Sequence, residues 1–139
     1  MISEKTIKIC GHDVQMRYCA ATETGYERIS GQSSDIFVPD VEKDEEGNII
    51  QVTQKAKADD YIKLAIAAII AAYARQDQDP PITADDIIYD AEPDDVQQLI
   101  TSVMELRAKW YNIPTVVAES PESKQSDDDA DDDEKPKNA

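Results

Sequence analysis

The chain has 139 residues, enough for one hydrophobic core and seldom for two, and carries a formal net charge of -16 from 30 acids against 14 Lys and Arg. With no basic cluster to displace counterions from phosphates, direct nucleic-acid binding is excluded, and the same sign disfavours anionic membrane surfaces. Two cysteines without a CxxC spacing, together with one histidine, remove zinc ribbons and fingers.

The N-terminus, MISEKTIKIC, has no long apolar run after its lysines, so no secretory signal is expected and a cytoplasmic location follows. Thr6 to Ile9 and Val14 to Tyr18 read as a β-hairpin. With Gly11 and His12 as the two-residue turn, Ile9 faces Val14, Ile7 faces Met16 and Cys10 lies opposite Asp13. Ile7, Ile9, Val14, Met16 and Tyr18 then share one face, and Thr6, Lys8, Asp13, Gln15 and Arg17 the other, the alternation of a half-buried antiparallel pair. Gly11 supplies the positive φ of a type II′ turn. In that register Cys19 lies roughly 20 Å from Cys10 at about 3.3 Å per residue, beyond the ~7 Å limit for bridged Cα atoms, so no disulfide is expected.

Thr22 is placed as the cap of a short helix with Tyr26 and Ile29 on one side and Gly31 as its stop. Pro39 to Asn48, rich in acids, reads as an exposed and mobile loop. The apolar residues on either side, Ile36 to Val38 and Ile49 to Val52, are candidates to pair with each other or to order against a partner.

The block Tyr61 to Ala74, YIKLAIAAIIAAYA, has Lys63 as its one charged residue. Asp59 and Asp60 before it and Arg75 after it match the field of a helix, and at 14 residues it is shorter than the about 20 a membrane span needs. Ile62, Ile66, Ile69, Ile70 and Tyr73 form one stripe, while Ala65, Ala68, Ala71 and Ala72 line a flank on which a second copy of the chain or a client is expected to pack.

QDQDPP breaks that helix, and Thr83 with Asp86 three residues later resembles a capping box for a short helix carrying Ile87, Ile88 and Tyr89. Pro93, Asp94 and Asp95 open the last helix, whose stripe is Val96, Leu99, Ile100, Val103, Leu106 and Trp110. Thr115 to Val117 is read as a short extended coda. From residue 119 onward nine acids and three lysines leave nothing apolar larger than alanine, the composition of a disordered acidic tail, while the first 118 residues still carry 21 acids against 11 bases.

The expected fold is α+β: an N-terminal antiparallel β-hairpin packed on a small bundle of three to four α-helices. Residues 1–118 form one domain with an exposed acidic loop at 39–48, and 119–139 form the disordered acidic tail. No catalytic, cofactor-binding or metal site is expected. His12 beside Asp13 falls at a turn without a nucleophile, and the pairs Asp59/Asp60, Asp85/Asp86 and Asp94/Asp95 sit at helix starts, where the helix field accounts for them without an ion. The run Asp127 to Glu134 lacks the glycine and ligand spacing of an EF-hand loop. Gly11, Gly25, Gly31 and Gly47 fall in no phosphate-binding pattern.

The order of TIKICGHDVQMRY, ATETGYERISG, DDYIKLAIAAIIAAYARQ, DPPITADDI and DDVQQLITSVMELRAKWYNIP resembles the small tail assembly chaperones of tailed bacteriophages and prophages over Thr6 to Val117. The resemblance implies a non-enzymatic protein of the bacterial host cytoplasm, not expected in the mature virion. Such a protein binds and solubilises the tape measure protein, recruits the major tail tube protein and self-associates. Leu64, Ile66, Ile70, Tyr73, Leu106 and Tyr111 are the candidate partner contacts. The alternative reading is an acidic inhibitor that mimics DNA and occupies a nucleic-acid-binding site.

Overall fold

A computed structural model describes residues 2–112; the extended coda at 115–117 and the acidic tail at 119–139 lie outside them. In chain order the elements are β1 (Ser3–Ile9), β2 (His12–Tyr18), α1 (Ala20–Ser30), a 3-10 turn (Ser34–Phe37), β3 (Asp40–Lys43), β4 (Ile49–Thr53), α2 (Ala58–Arg75), α3 (Ala84–Asp90) and α4 (Pro93–Trp110). The architecture is α+β: the N-terminal hairpin packs on helices, and β3 and β4 form a separate two-stranded antiparallel sheet.

The first turn is Cys10–Gly11, not Gly11–His12. Both residues have positive φ, 50° and 79°, as a type I′ loop requires, and Gly11 takes the second position rather than the first. The register moves accordingly: Ile7 pairs Val14 and Ile9 pairs His12. The expected faces survive because the shift is two residues, an even step that leaves every side chain on its own side of the sheet. Ile7, Ile9, Val14, Met16 and Tyr18 are all buried. Cys10, a non-glycine in a conformation that disfavours side chains, is held there by its amide, which donates to Asp95 Oδ1 at 3.2 Å.

The apolar block is the body of α2, and the chain covers it by itself. From Leu64 to Tyr73 every residue but Ile70 is buried, under α1, β2 and α4. The expectation of a free alanine flank is therefore corrected: Ala65, Ala67, Ala68, Ala71 and Ala72 are all inside. Small side chains there let α1 come so close that a Cβ built on Gly25 would lie 3.3 Å from the Cβ of Ala67. A helix apolar nearly all round is a core helix, and the close neighbour is a segment of its own chain.

Four helices start in the same way. The side chain of the third residue reaches back to the amide of the capping residue: Thr22 Oγ1 accepts from Cys19 at 3.1 Å, Asp60 Oδ2 from Lys57 at 2.9 Å, Asp86 Oδ2 from Thr83 at 2.8 Å and Asp95 Oδ2 from Glu92 at 3.0 Å. Thr22 thus stands three positions into α1, with Cys19 at the capping position. Thr83 and Asp86 form the full reciprocal pair, the amide of Asp86 donating to Thr83 Oγ1 at 3.1 Å. On α1, Tyr26 is buried, while Ile29, in the last turn before the Gly31 cap (φ 73°), is exposed. On α4, Leu99, Val103 and Leu106 enter the core with Ser102, while Val96, Ile100 and Trp110 are half-buried.

Two substitutions test this packing. Ala67→Leu is expected to destabilise the protein by about 1–3 kcal/mol in urea unfolding, because α1 has no room to retreat without losing its other contacts. Asp60→Ala removes both the return bond to Lys57 and the acceptor, at 3.0 Å, of the buried Tyr26 hydroxyl; a loss of about 2 kcal/mol is expected in the same measurement.

Candidate protein-binding surface

The segment expected to be a mobile loop at 39–48 is half of a β-hairpin. β3 takes its first residues, and Ile49 to Val52 belong to β4, which pairs with Asp40–Lys43 and not with Ile36 to Val38. Ile36 and Phe37 are instead drawn into the 3-10 turn, where Phe37 is buried with its ring centroid 4.8 Å from that of Tyr26. The acidic tip is organised by Asp44. Its Oδ1 accepts from the amides of Glu46 and Asn48, both at 2.9 Å; its own amide donates to the Asn48 carbonyl at 2.9 Å; and Gly47 (φ 89°) closes the loop. At the open end Lys55 pairs with Asp40 at 3.5 Å.

This hairpin is amphipathic, yet both its faces meet solvent. Val41 stands opposite Val52, with Ile50, the extra residue of a bulge, two positions before Val52 and hence on its side of the strand. Asp40 with Thr53 and Glu42 with Gln51 occupy the other side. Every residue from Asp40 to Lys55 is exposed, and the four large apolar side chains Val41, Ile49, Ile50 and Val52 are 46% to 61% accessible. In β1 and β2 the same alternation lies on a core; in β3 and β4 nothing among the described residues covers it. A two-stranded hairpin without a covered face is marginal in water, and a contiguous exposed apolar patch marks an interaction surface.

A second apolar feature lies between α2 and the connector to α3, where Ile66, Ile69, Ile70, Pro80, Ile82 and Ile87 line an open groove of about 330 Å³. On α3, Ile88 and Tyr89 are exposed, Tyr89 at 79%.

Of the six contacts expected from the sequence, four are corrected: Leu64, Ile66, Tyr73 and Leu106 are core residues. Leu64 and Leu106 are fully enclosed in the core. Ile66 forms the floor of the groove. The Tyr73 hydroxyl accepts the Gln15 amide at 3.1 Å and so closes part of the β2 edge. Ile70 (49%) and Tyr111 (46%) are accessible. Tyr111 is engaged within the chain, since its hydroxyl donates to Glu23, which also accepts from Tyr18 at 2.8 Å, and Arg107 lies 4.8 Å from its ring centre. Burial, then the Glu23 carboxylate, push its phenol up to about 12.

His12 and Asp13 are exposed at the start of β2. Asp60, Asp86 and Asp95, one from each acid pair, are occupied by the helix starts described above. Cys10 and Cys19 are free thiols, and among the described residues no three His, Cys, Asp or Glu side chains gather as a metal site. No helix among them is long and apolar enough to cross a membrane. No family model, curated protein or solved structure matches the chain.

The sequence offers Ile36 to Val38 as the first strand of this hairpin, rather than Asp40–Lys43, because β3 contains one large apolar residue, Val41, among Asp40, Glu42 and Lys43. The usable signal was Asp44 with Gly47 and Asn48 between two short alternating stretches, the chemistry of a turn. Asp44 also offers a test. Its carboxyl lies below its ordinary value of 3.8, first because the Asn48 amide, then that of Glu46, donates to the ionised form. A depressed carboxyl supports the turn in full above the ordinary value and loses that support as pH falls through the lower one. The Glu46 and Asn48 amide resonances are expected to stay dispersed near neutrality and to collapse below the ordinary aspartate value of 3.8. Asp44→Ala is expected to collapse them at every pH while leaving the thermal midpoint of the core unchanged.

Proposed function

We propose that this protein is a non-enzymatic chaperone that holds an apolar, aggregation-prone partner protein on the uncovered face of the β3–β4 hairpin. The observation that carries this reading is the hairpin itself, a strand pair whose apolar side, Val41, Ile50 and Val52, has no partner within the described chain while its other side and tip are acidic. A formal net charge of -16 supports it further, because like-charged complexes repel one another and stay dispersed. In line with the resemblance to tail assembly chaperones, the partner is the tape measure protein, with recruitment of the major tail tube protein around it. The work is done in the host cytoplasm, and the chaperone is absent from the mature virion. Self-association through the alanine flank of α2 is not part of the proposal, since that flank is buried. The DNA-mimic alternative has less support, because Asp60, Asp86 and Asp95 turn inward to helix starts rather than standing outward like phosphates.

Co-expression tests the reading. The soluble fraction of the tape measure protein is expected to rise several-fold when this chain is present, and the two are expected to purify together. Equal solubility and recovery when the chain is omitted would reject the chaperone role.

A further inference from the structure

The hairpin's acids are arranged by parity. In β3 the apolar Val41 and the flexible Lys43 point to one side, and Asp40 and Glu42 to the other. Among the described residues the sheet has only the two strands β3 and β4, so within them β3 has a free edge, a row of backbone donors and acceptors open to a third strand. The edge of β4 is neutral on the polar side, with Gln51 and Thr53 there, whereas that of β3 is acidic.

A strand added to β3 so as to continue the apolar face must place its own apolar residues beside Val41. Its alternate residues then fall beside Asp40 and Glu42, since paired side chains share a face. For a second copy of this chain the consequence is fixed. Any β3-to-β3 pairing that keeps both apolar faces on one side sets even-numbered residues against even-numbered residues, and in β3 these are Asp40 and Glu42. Acid meets acid in every such register, an arrangement that is destabilising. The one cation on the polar side, Lys55, is an exposed partner of Asp40 at 3.5 Å, a pair too weak to cancel the row. The edge therefore opposes pairing with the same edge of another copy and suits a strand of opposite charge pattern.

We propose that the free edge of β3 pairs with an extended segment of a partner protein in which apolar residues alternate with lysine or arginine. This rests on the chaperone reading and names the chemistry of the client segment. The apolar row of that segment lies with Val41 and Val52, its cations stand beside Asp40 and Glu42, and its backbone completes the open edge. Bound in this way, a sticky segment loses both its apolar face and its own free strand edge.

The test uses the full chain and synthetic peptides of about eight residues, the length of an ordinary strand: alternating valine and lysine, the same with glutamate for lysine, and the same with serine for valine. Fluorescence anisotropy is expected to show binding of the valine–lysine peptide, with the other two at least about tenfold weaker. Amide hydrogen exchange is expected to slow within residues 40–43, and N-methylation of alternate peptide amides on the pairing edge is expected to abolish binding. The exposed double variant Asp40→Lys, Glu42→Lys, with an unchanged far-UV spectrum, is expected to prefer the glutamate peptide. Equal binding of lysine and glutamate peptides, or protection elsewhere with residues 40–43 unaffected, overturns the proposal. So does a double variant that solubilises the tape measure protein as well as the parent, an outcome that leaves the chaperone role standing.

Discussion

The structure is organised around one constraint, the need to cover α2 on nearly all sides. From Leu64 to Tyr73 only Ile70 meets water, so the helix needs α1, the β1–β2 hairpin and α4 around it at once. Alanines on α2 set the approach distances. Where Ala67 meets Gly25, α1 and α2 approach so closely that a Cβ added to Gly25 would lie 3.3 Å from that of Ala67. With those neighbours in place, Ile7, Ile9, Val14, Met16 and Tyr18 from the hairpin and Leu99, Val103 and Leu106 from α4 close a single core. Burial on this scale supplies the main favourable term of folding.

Polar groups join this core to the ends of its helices. Three of the four capping positions carry Cys19, Lys57 and Glu92, none of which makes the usual side-chain bond to the helix start. The third residue of each helix does that work instead, by accepting the capping amide. In α2 and α4 the same carboxylate spends its second oxygen at a distance: Asp60 on the Tyr26 hydroxyl and Asp95 on the Cys10 amide. A local signal for starting a helix thereby also fixes where α1 and the first turn sit. Ser3 Oγ bonded to the Leu106 carbonyl at 2.8 Å, and Lys5 paired with Glu105 at 2.6 Å, fasten β1 to α4 in the same way.

The two hairpins obey one pattern and have opposite fates. Both alternate apolar and polar residues, but β1–β2 is laid on α2 and α4 while β3–β4 stands clear of the core. Its shape depends on the Asp44 turn and on main-chain pairing rather than on burial, and among the described residues nothing covers its apolar side. The acids on its other side oppose the pairing of two β3 edges, and charge along an open strand edge guards against aggregation.

Much of the helical architecture was legible in the residues. Pro93, the acid pairs, Thr83 with Asp86, and Gly31 act within one turn of chain, and local signals of that kind mark helix ends whatever surrounds them. The alternation in β1 and β2 likewise decided their faces, because side-chain parity is a property of the strand itself. What periodicity cannot carry is the identity of the neighbour. The stripe and the alanine flank of α2 were both visible, but whether a flank is covered by α1 or by another molecule depends on where Gly25 lies in space. For that reason four of the six expected contacts, Leu64, Ile66, Tyr73 and Leu106, proved to be core. The exact turn, Cys10–Gly11, and the pairing of Ile49–Thr53 with Asp40–Lys43 were also settled only in three dimensions. Two registers that differ by two residues present the same faces, and only the Cys10 amide meeting Asp95 and the geometry of Asp44 choose between neighbouring solutions. The sequence by itself determined which residues must be buried and where helices begin; the tertiary structure decided what buries them, because that depends on contacts between segments far apart in the chain.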